Sequence, residues 1–403
     1  MKGLEKLLRK FEPDHDGKWA KLHPVWDCFY TFAFTPGETT QKGTHIRDGI
    51  DLKRTMFIVV TALLPCLLFG IYNTGHWHYV AETGNMDLAY MDMFGDKVLH
   101  GLYVVIPIVA VSYIVGLGVE FAFCIKNGHS IQEGFLVSGM LIPLIVPADT
   151  PLWMIAVATV FAVVIGKEVF GGTGMNIVNV ALTARAFLFF GYPTMMSGDK
   201  VWISGLSEMK EAGTLPDGFS GATPLGELAT FASDEPIYES TAAFAENWTL
   251  MDSFYGFIPG SIGETSVLAI GIGALLLLIT GIGSWKIMLS FILGGLGMGF
   301  LFNAFPANDF MALDPVHQIF LGGFMFGAVF MATDPVTAAQ TSTGKWIYGL
   351  LGGAFAILVR VFNPAYPEGV MMAILFMNIM APMIDHYVIQ SNIKKRLKRL
   401  KTA

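Results

Sequence analysis

Charge is what this sequence has least of. Of its 403 residues only 14% are Asp, Glu, Lys or Arg, while 53% are apolar and the mean hydropathy is +0.56. A soluble domain carries roughly 25% charged residues, so this chain has about half the charge it would need to cover itself in water. That excludes a soluble enzyme, and so much apolar surface to bury excludes a disordered chain as well. Cysteine is scarce too. Cys28, Cys66 and Cys124 show no metal-ligand or redox spacing, so neither a disulfide nor an iron-sulfur cluster held by this chain alone is expected. Residues 1 to 52 lack the apolar core of a cleavable signal peptide, and the first span is expected to act as its own insertion signal. Neither a GxGxxG after a strand nor a GxxxxGK[ST] is present, so no soluble nucleotide fold is indicated, and no nucleic-acid partner is expected.

What is present is a series of apolar runs near the roughly 20 residues that cross a bilayer. They cover 55 to 72, 101 to 125, 134 to 147, 152 to 170, 176 to 193, 265 to 283, 286 to 305, 316 to 333, 345 to 363 and 368 to 386. The expected fold is therefore an all-α integral membrane protein of ten transmembrane helices. The third run is short and carries Pro143 and Pro147, which suits a half-crossing or broken helix. Lys and Arg concentrate in the N-terminal arm and in NIKKRLKRLK near the C-terminus. Positive charge stays on the cytoplasmic side, so both termini are expected there.

Ten spans then place the hydrophilic stretch 194 to 264 outside, between two five-helix halves. An odd number of helices per half makes repeats of this kind inverted. Internal echoes agree: Asp149 and Pro151 follow the third span, Asp334 and Pro335 follow the eighth, and Lys167 and Arg360 lie at the ends of the fourth and ninth. The expected organisation is a cytoplasmic arm (1–54), a first membrane repeat (55–193), an extracytoplasmic loop (194–264), a second repeat (265–386) and a basic tail (387–403), with the third and eighth helices short or broken.

The sharpest local signal lies in that outer loop, DGFSGATP at 217 to 224. Small residues strip bulk from around the Thr223 hydroxyl, and Thr223 before Pro224 also reads as a plain helix cap. In GKEVFGGTGMN, glycines with Asn176 and Asn179 sit at a break between spans. They either let backbone groups face a cavity or pack helices closely. Glu120 lies in the apolar YIVGLGVEFAF, where an ionisable group is costly and points to function. Gly116 shares its face, and Phe121 and Phe123 could wall a slot for a flat ring; the plainer reading ends a helix at the headgroups near Lys126. Asp334 in MATDP and Asp385 in APMIDH carry the oxygens a hard cation requires, or are solvated helix ends. Phe324, Phe326, Gly327 and Phe330 either narrow a pore or simply pack. The arm, with Trp19, Trp26, Phe29, Tyr30, Phe32 and Phe34 among basic residues, suits docking on a membrane or a partner.

DGFSGATP, together with IRDGIDLKR (46–54), KEVFGGTGMN (167–176), ARAFLFFGYP (184–193), SGDKVW (197–202), IPGSIGE (258–264), FMATDPV (330–336) and NPAYPEG (363–369), resembles the NqrB/RnfD family over nearly the whole chain. The resemblance implies a membrane subunit of a Na+-translocating NADH:ubiquinone reductase in a bacterial inner membrane, passing electrons to quinone coupled to Na+ export. It implies FMN esterified through its phosphate to Thr223 by a flavin transferase. Asp217, Ser220, Gly221 and Ala222 complete that motif. It further implies a noncovalent riboflavin, for which Asn176 and Asn179 are candidates. A quinone site is implied at Gly116, Leu117 and Glu120, with Leu117 where the family has glycine, and a sodium path at Asp334, Asp385 and Glu120. The partners implied belong to a six-subunit complex: a peripheral A subunit at the N-terminal arm, a C subunit and small membrane subunits. No NADH site is visible in this chain, so it is expected to be incomplete alone. The alternatives are the D subunit of an Rnf ferredoxin:NAD+ complex and a non-redox inverted-repeat channel, which has no use for an accessible threonine in the outer loop.

Overall fold

The computed structural model describes residues 8, 10–13, 20–34, 40, 42–46, 49–86, 88–127, 134–216, 218–230, 237–363 and 369–402, and among these there is helix but no strand. Asp217 and Trp19 lie outside the described residues. The principal helices are α1 (His23–Ala33), α2 (Leu52–Thr83), α3 (Phe94–Asn127), α4 (Phe135–Leu144), α5 (Leu152–Gly166) and α6 (Val180–Gly191). After the long loop, with its short helix α7 (Pro224–Thr230), come α8 (Val267–Ile279), α9 (Trp285–Ala304), α10 (Pro315–Phe320), α11 (Ser342–Phe362) and α12 (Val370–Thr402). Six of them, α2, α3, α5 with the turn after it, α9, α11 and α12, are long and apolar enough to cross a membrane. The helices α4, α6 and α8 are apolar but shorter.

Apolar side chains face outward as well as inward. Leu99, Tyr103, Ile106 and Ile114 along α3, and Leu268, Ile272, Leu275 and Ile279 along α8, are all exposed. A helix in water would hide such a face, whereas one in lipid gains nothing by doing so. At 33 residues, α12 is about 50 Å long at 1.5 Å per residue, longer than a hydrocarbon core of roughly 30 Å, so its basic end extends beyond that core.

The expected breaks are present, and they determine the interior. Helix α4 stops after ten residues, and its freed carbonyls cannot be satisfied by lipid. Residues 258–266 reach in to meet them: the Gly263 N–H donates to the Leu144 carbonyl at 2.8 Å and the Ile262 N–H to Val146 at 3.3 Å. From α6, the buried Arg185 guanidinium donates to the Ile145 carbonyl and to Ser261 Oγ (3.0 Å), and pairs with Glu264 at 3.3 Å. The segment after α10 is handled in the same way. After α10 the chain bends at 321–323 and continues through Phe324–Phe326 into a π-turn at Gly327–Met331. There the buried Arg360 of α11 donates to the Gln318 carbonyl and to Leu321 (3.0 Å). Two arginines inside an apolar chain are thus accounted for by two broken helices. The phenylalanines of the π-turn region pack: Phe324, Phe326 and Phe330 are buried, with Phe326 and Phe330 ring centroids 5.0 Å apart.

Candidate functional site

Glu120 sits about two turns before the end of α3, and its side chain is turned inward with only 2% of the residue exposed. Lys167, the residue that ends α5, is 4% exposed, and its ammonium donates to the Glu120 carboxylate. Beside the pair lies a cavity of about 180 Å³ lined by Glu120, Cys124, Lys167, Glu168, the Gly171 and Gly172 backbone and Thr173. Two carboxylates against one ammonium leave its walls net negative. Gly116, one turn before Glu120, is where Phe135 of α4 crosses α3, and a Cβ there would run into the ring. Leu117 is half-buried among core side chains. Phe121 meets Phe29 of α1 edge-on at 6.2 Å, which seats the described part of the arm on the end of α3.

A second cavity, of about 100 Å³, shares Lys167 and Thr173 with the first. Its polar wall is Asn176, Asn179, Thr333 and Asp334; its apolar wall includes Val59, Leu141, Leu277 and Phe330. The Asp334 carboxylate accepts from the Val336 N–H (3.0 Å), Thr337 Oγ1 (3.1 Å) and Asn179 Nδ2 (3.3 Å). Asn179 is the N-cap of α6, its Oδ1 accepting the Leu182 N–H at 3.2 Å, so one amide fixes a helix start and an acid of the other half together. The Asn176 amide donates to the Val178 carbonyl at 3.1 Å. Glu120, Asn176, Asn179 and Asp334, scattered in sequence, thus line two adjoining cavities with Lys167 between them.

Asp385 lines neither cavity. Its carboxylate accepts the Gln340 N–H at 2.6 Å, the Thr341 N–H at 3.0 Å and the Thr341 hydroxyl at 2.5 Å, and so holds the turn that starts α11.

Thr223 also lines neither cavity, and it caps α7, its Oγ1 accepting the Gly226 N–H at 3.1 Å. Ser220 Oγ accepts the Ala222 N–H at 3.3 Å. The glycine of the motif has a steric cause: a Cβ on Gly221 would run into Leu206 Cδ2 and lie 2.6 Å from the Asp199 carbonyl. Thr223 itself is only 7% exposed and faces the inserted segment, including Gly260, Ser261 and Thr265, across a gap of about 10 Å³. The Thr223 hydroxyl is thus engaged as a helix cap and has little open space beside it. At the same end, burial raises the Asp149 carboxyl above the ordinary carboxylate value, opposed by a hydrogen bond from the Gly205 N–H at 3.4 Å.

The model of the NQR2, RnfD, RnfE family matches residues 39–394. The chain belongs to that family. Proteins named as the B subunit of a Na(+)-translocating NADH-quinone reductase are similar to this member over its length: that of Ectopseudomonas mendocina (strain ymp) is 43% identical over 98% of each chain. That of Chromohalobacter salexigens is 43% identical over 98% of this chain and 97% of its own. That of Haemophilus influenzae (strain PittEE) is 42% identical over 98% and 99%. The family resemblance read from the motifs is borne out. In the sequence of this family member, Lys167 stands out only as a base echoing Arg360 at a span end, and Arg185 only as a charge within a span. The signal that finds them is the requirement that a buried acid, Glu120 or Glu264, have a base within reach.

Proposed function

We propose that this chain is the membrane-embedded B subunit of a Na+-translocating NADH:quinone reductase, acting in a complex whose other subunits supply NADH oxidation. The observation that carries this is the 42–43% identity to proteins of that name along 98% of the chain. Under this reading the two halves of the chain are inverted five-helix repeats, giving ten crossings of a bacterial inner membrane. Both termini face the cytoplasm, the 194–264 loop lies outside, and the aromatic arm receives the peripheral A subunit. Ubiquinone is the electron acceptor.

At about 100 Å³ the cavity of Asn176, Asn179 and Asp334 is smaller than a whole flavin, and its lining, amides and hydroxyls along one side and apolar faces on the other, suits the edge of such a ring. When bound, such a group supplies one- and two-electron transfer. The chain's own residues orient it: Asn179, fixed as a cap, presents its amide in one direction, and Phe330 and Leu277 exclude water from the opposite wall. Lys167 is a cation placed at the side of that cavity, where it offsets added negative charge. The neighbouring cavity, walled by Glu120, Glu168 and two glycine backbones, offers the hard oxygens that Na+ prefers. A quinone head reaching the Glu120 end of α3 would meet the Lys167–Glu120 pair as its polar contact.

Thr223 is the site of covalent FMN under this reading. Because the hydroxyl is 7% exposed and caps α7, a flavin transferase needs the cap to open before it reaches the oxygen. The test is in-gel flavin fluorescence of the denatured polypeptide, made in the presence of a flavin transferase. A fluorescent wild-type band that goes dark in Thr223→Ala supports the reading. A dark wild-type band with an active transferase removes covalent FMN from it.

A further inference from the structure

Beyond the cavities assigned above, the basic end of α12 carries a groove of about 390 Å³ against the start of α11, away from the two polar cavities. Its walls change character along the helix. Ile384, Tyr387 and Val388, with Ile347 opposite, form the apolar end. Ser391, Asn392 and Lys395 follow on the same face of α12, at the three- and four-residue spacing that keeps side chains in one row. From Ile384 to Lys395 the row rises about 16 Å, which takes it from hydrocarbon to headgroup depth.

The depth is marked independently. Trp285 and Trp346 meet edge-on at 5.8 Å at the starts of α9 and α11, as aromatic side chains do at a membrane interface. Lys286 donates to Ser342 Oγ at 2.5 Å at the same level. Charge is one-sided here. Lys286, Lys345, Lys394 and Lys395 gather at this end, while Asp385, the acid on this stretch of α12, is taken up by the Gln340 and Thr341 donors. The Lys395 ammonium has no ion-pair or hydrogen-bond partner among the described residues.

The geometry points to a site for an anionic glycerophospholipid. One acyl chain lies along Ile347, Ile384 and Val388, and the headgroup phosphate sits on Lys395, Asn392 and Ser391. A groove that is apolar below, amide- and hydroxyl-lined above and closed by an unpaired cation matches such a molecule end to end. A zwitterionic lipid brings its own cation and gains less from Lys395.

The test places a photoreactive phenylalanine analogue at Val388 in the whole complex, in its native membrane, and identifies the adduct by mass spectrometry. Expected is a phospholipid adduct in which anionic headgroups exceed their share of the membrane by about fivefold, the factor that corresponds to ~1 kcal/mol for one interfacial lysine. Lys395→Gln, an exposed change that spares the fold, should bring that ratio down to the bulk composition; Lys394→Gln, off the groove face, should leave it. Adducts that mirror the bulk lipid in wild type, a peptide adduct showing that a neighbouring polypeptide fills the groove, or no adduct at all would each overturn the assignment.

Discussion

Replacing Lys167 by Met tests whether the Glu120–Lys167 pair is a working unit of the interior. Both side chains are almost wholly removed from solvent, at 5% exposure for the lysine and 3% for the acid, so solvent screening contributes little. Met keeps most of the aliphatic stem of the lysine and removes the charge, leaving a buried carboxylate whose pairing is gone. Such a loss costs about 3–5 kcal/mol, whereas removing both charges by Lys167→Met with Glu120→Gln is close to neutral because no orphan ion remains. The coupling between the two substitutions should therefore be about 3 kcal/mol or more, far above the ~0.5 kcal/mol within which independent sites add. The assay is thermal inactivation of the assembled complex, read for wild type, each single variant and the double variant. Lys167→Met should be the least stable of the four and the double variant should recover most of the loss. Added Na+ should also protect Lys167→Met more than wild type, since a cation that binds the vacated carboxylate stabilises the form that binds it. Additive effects, or Lys167→Met as stable as the double variant, would refute the claim that the ammonium is the counter-ion of Glu120.

Arg185→Met should be among the most damaging single changes, since it strips the Ile145 carbonyl and the Glu264 carboxylate of a buried donor at about 3–5 kcal/mol; loss of assembled complex in detergent measures it. Asp385→Ala should destabilise the start of α11 by about 1 kcal/mol by removing its hydrogen bonds to Gln340 and Thr341, which water can partly replace, while flavin content stays at the wild-type level. Asp149 has a folded-state value raised by burial, so the folded chain binds its proton more tightly than the unfolded chain. Its destabilising contribution is therefore absent below the ordinary carboxylate range and complete above the raised value. Asp149→Asn should flatten the corresponding fall in stability as pH increases, seen in inactivation midpoints across that range.

The membrane class was legible from composition, and the shortness of the helix Phe135–Leu144 from Pro143 and Pro147. Helix lengths were not. The run 55 to 72 becomes a helix from Leu52 to Thr83, because Asn73, Thr74 and His76 are polar residues buried against other segments rather than ends of the span. The candidate site was legible residue by residue but not as an assembly. Asn179 and Asp334 are 155 positions apart, and only the fold shows that an amide capping one half holds an acid of the other. Gly116 illustrates the opposite limit: sequence marks a small residue on the face of Glu120, while its space is taken by Phe135 of another helix. Burial of Thr223 was equally hidden, because it depends on residues 258–265 folding back beneath the loop.

Coupling of quinone reduction to Na+ movement is tested most directly by Na+ accumulation in sealed vesicles that carry the complex and oxidise NADH. Wild type should build an NADH-driven Na+ gradient, and Glu168→Gln, in the wall of the cavity assigned to Na+, should greatly reduce that gradient while keeping its flavin. Quinone reduction by the wild-type complex with no Na+ gradient, in vesicles shown to be tight, would contradict the coupling.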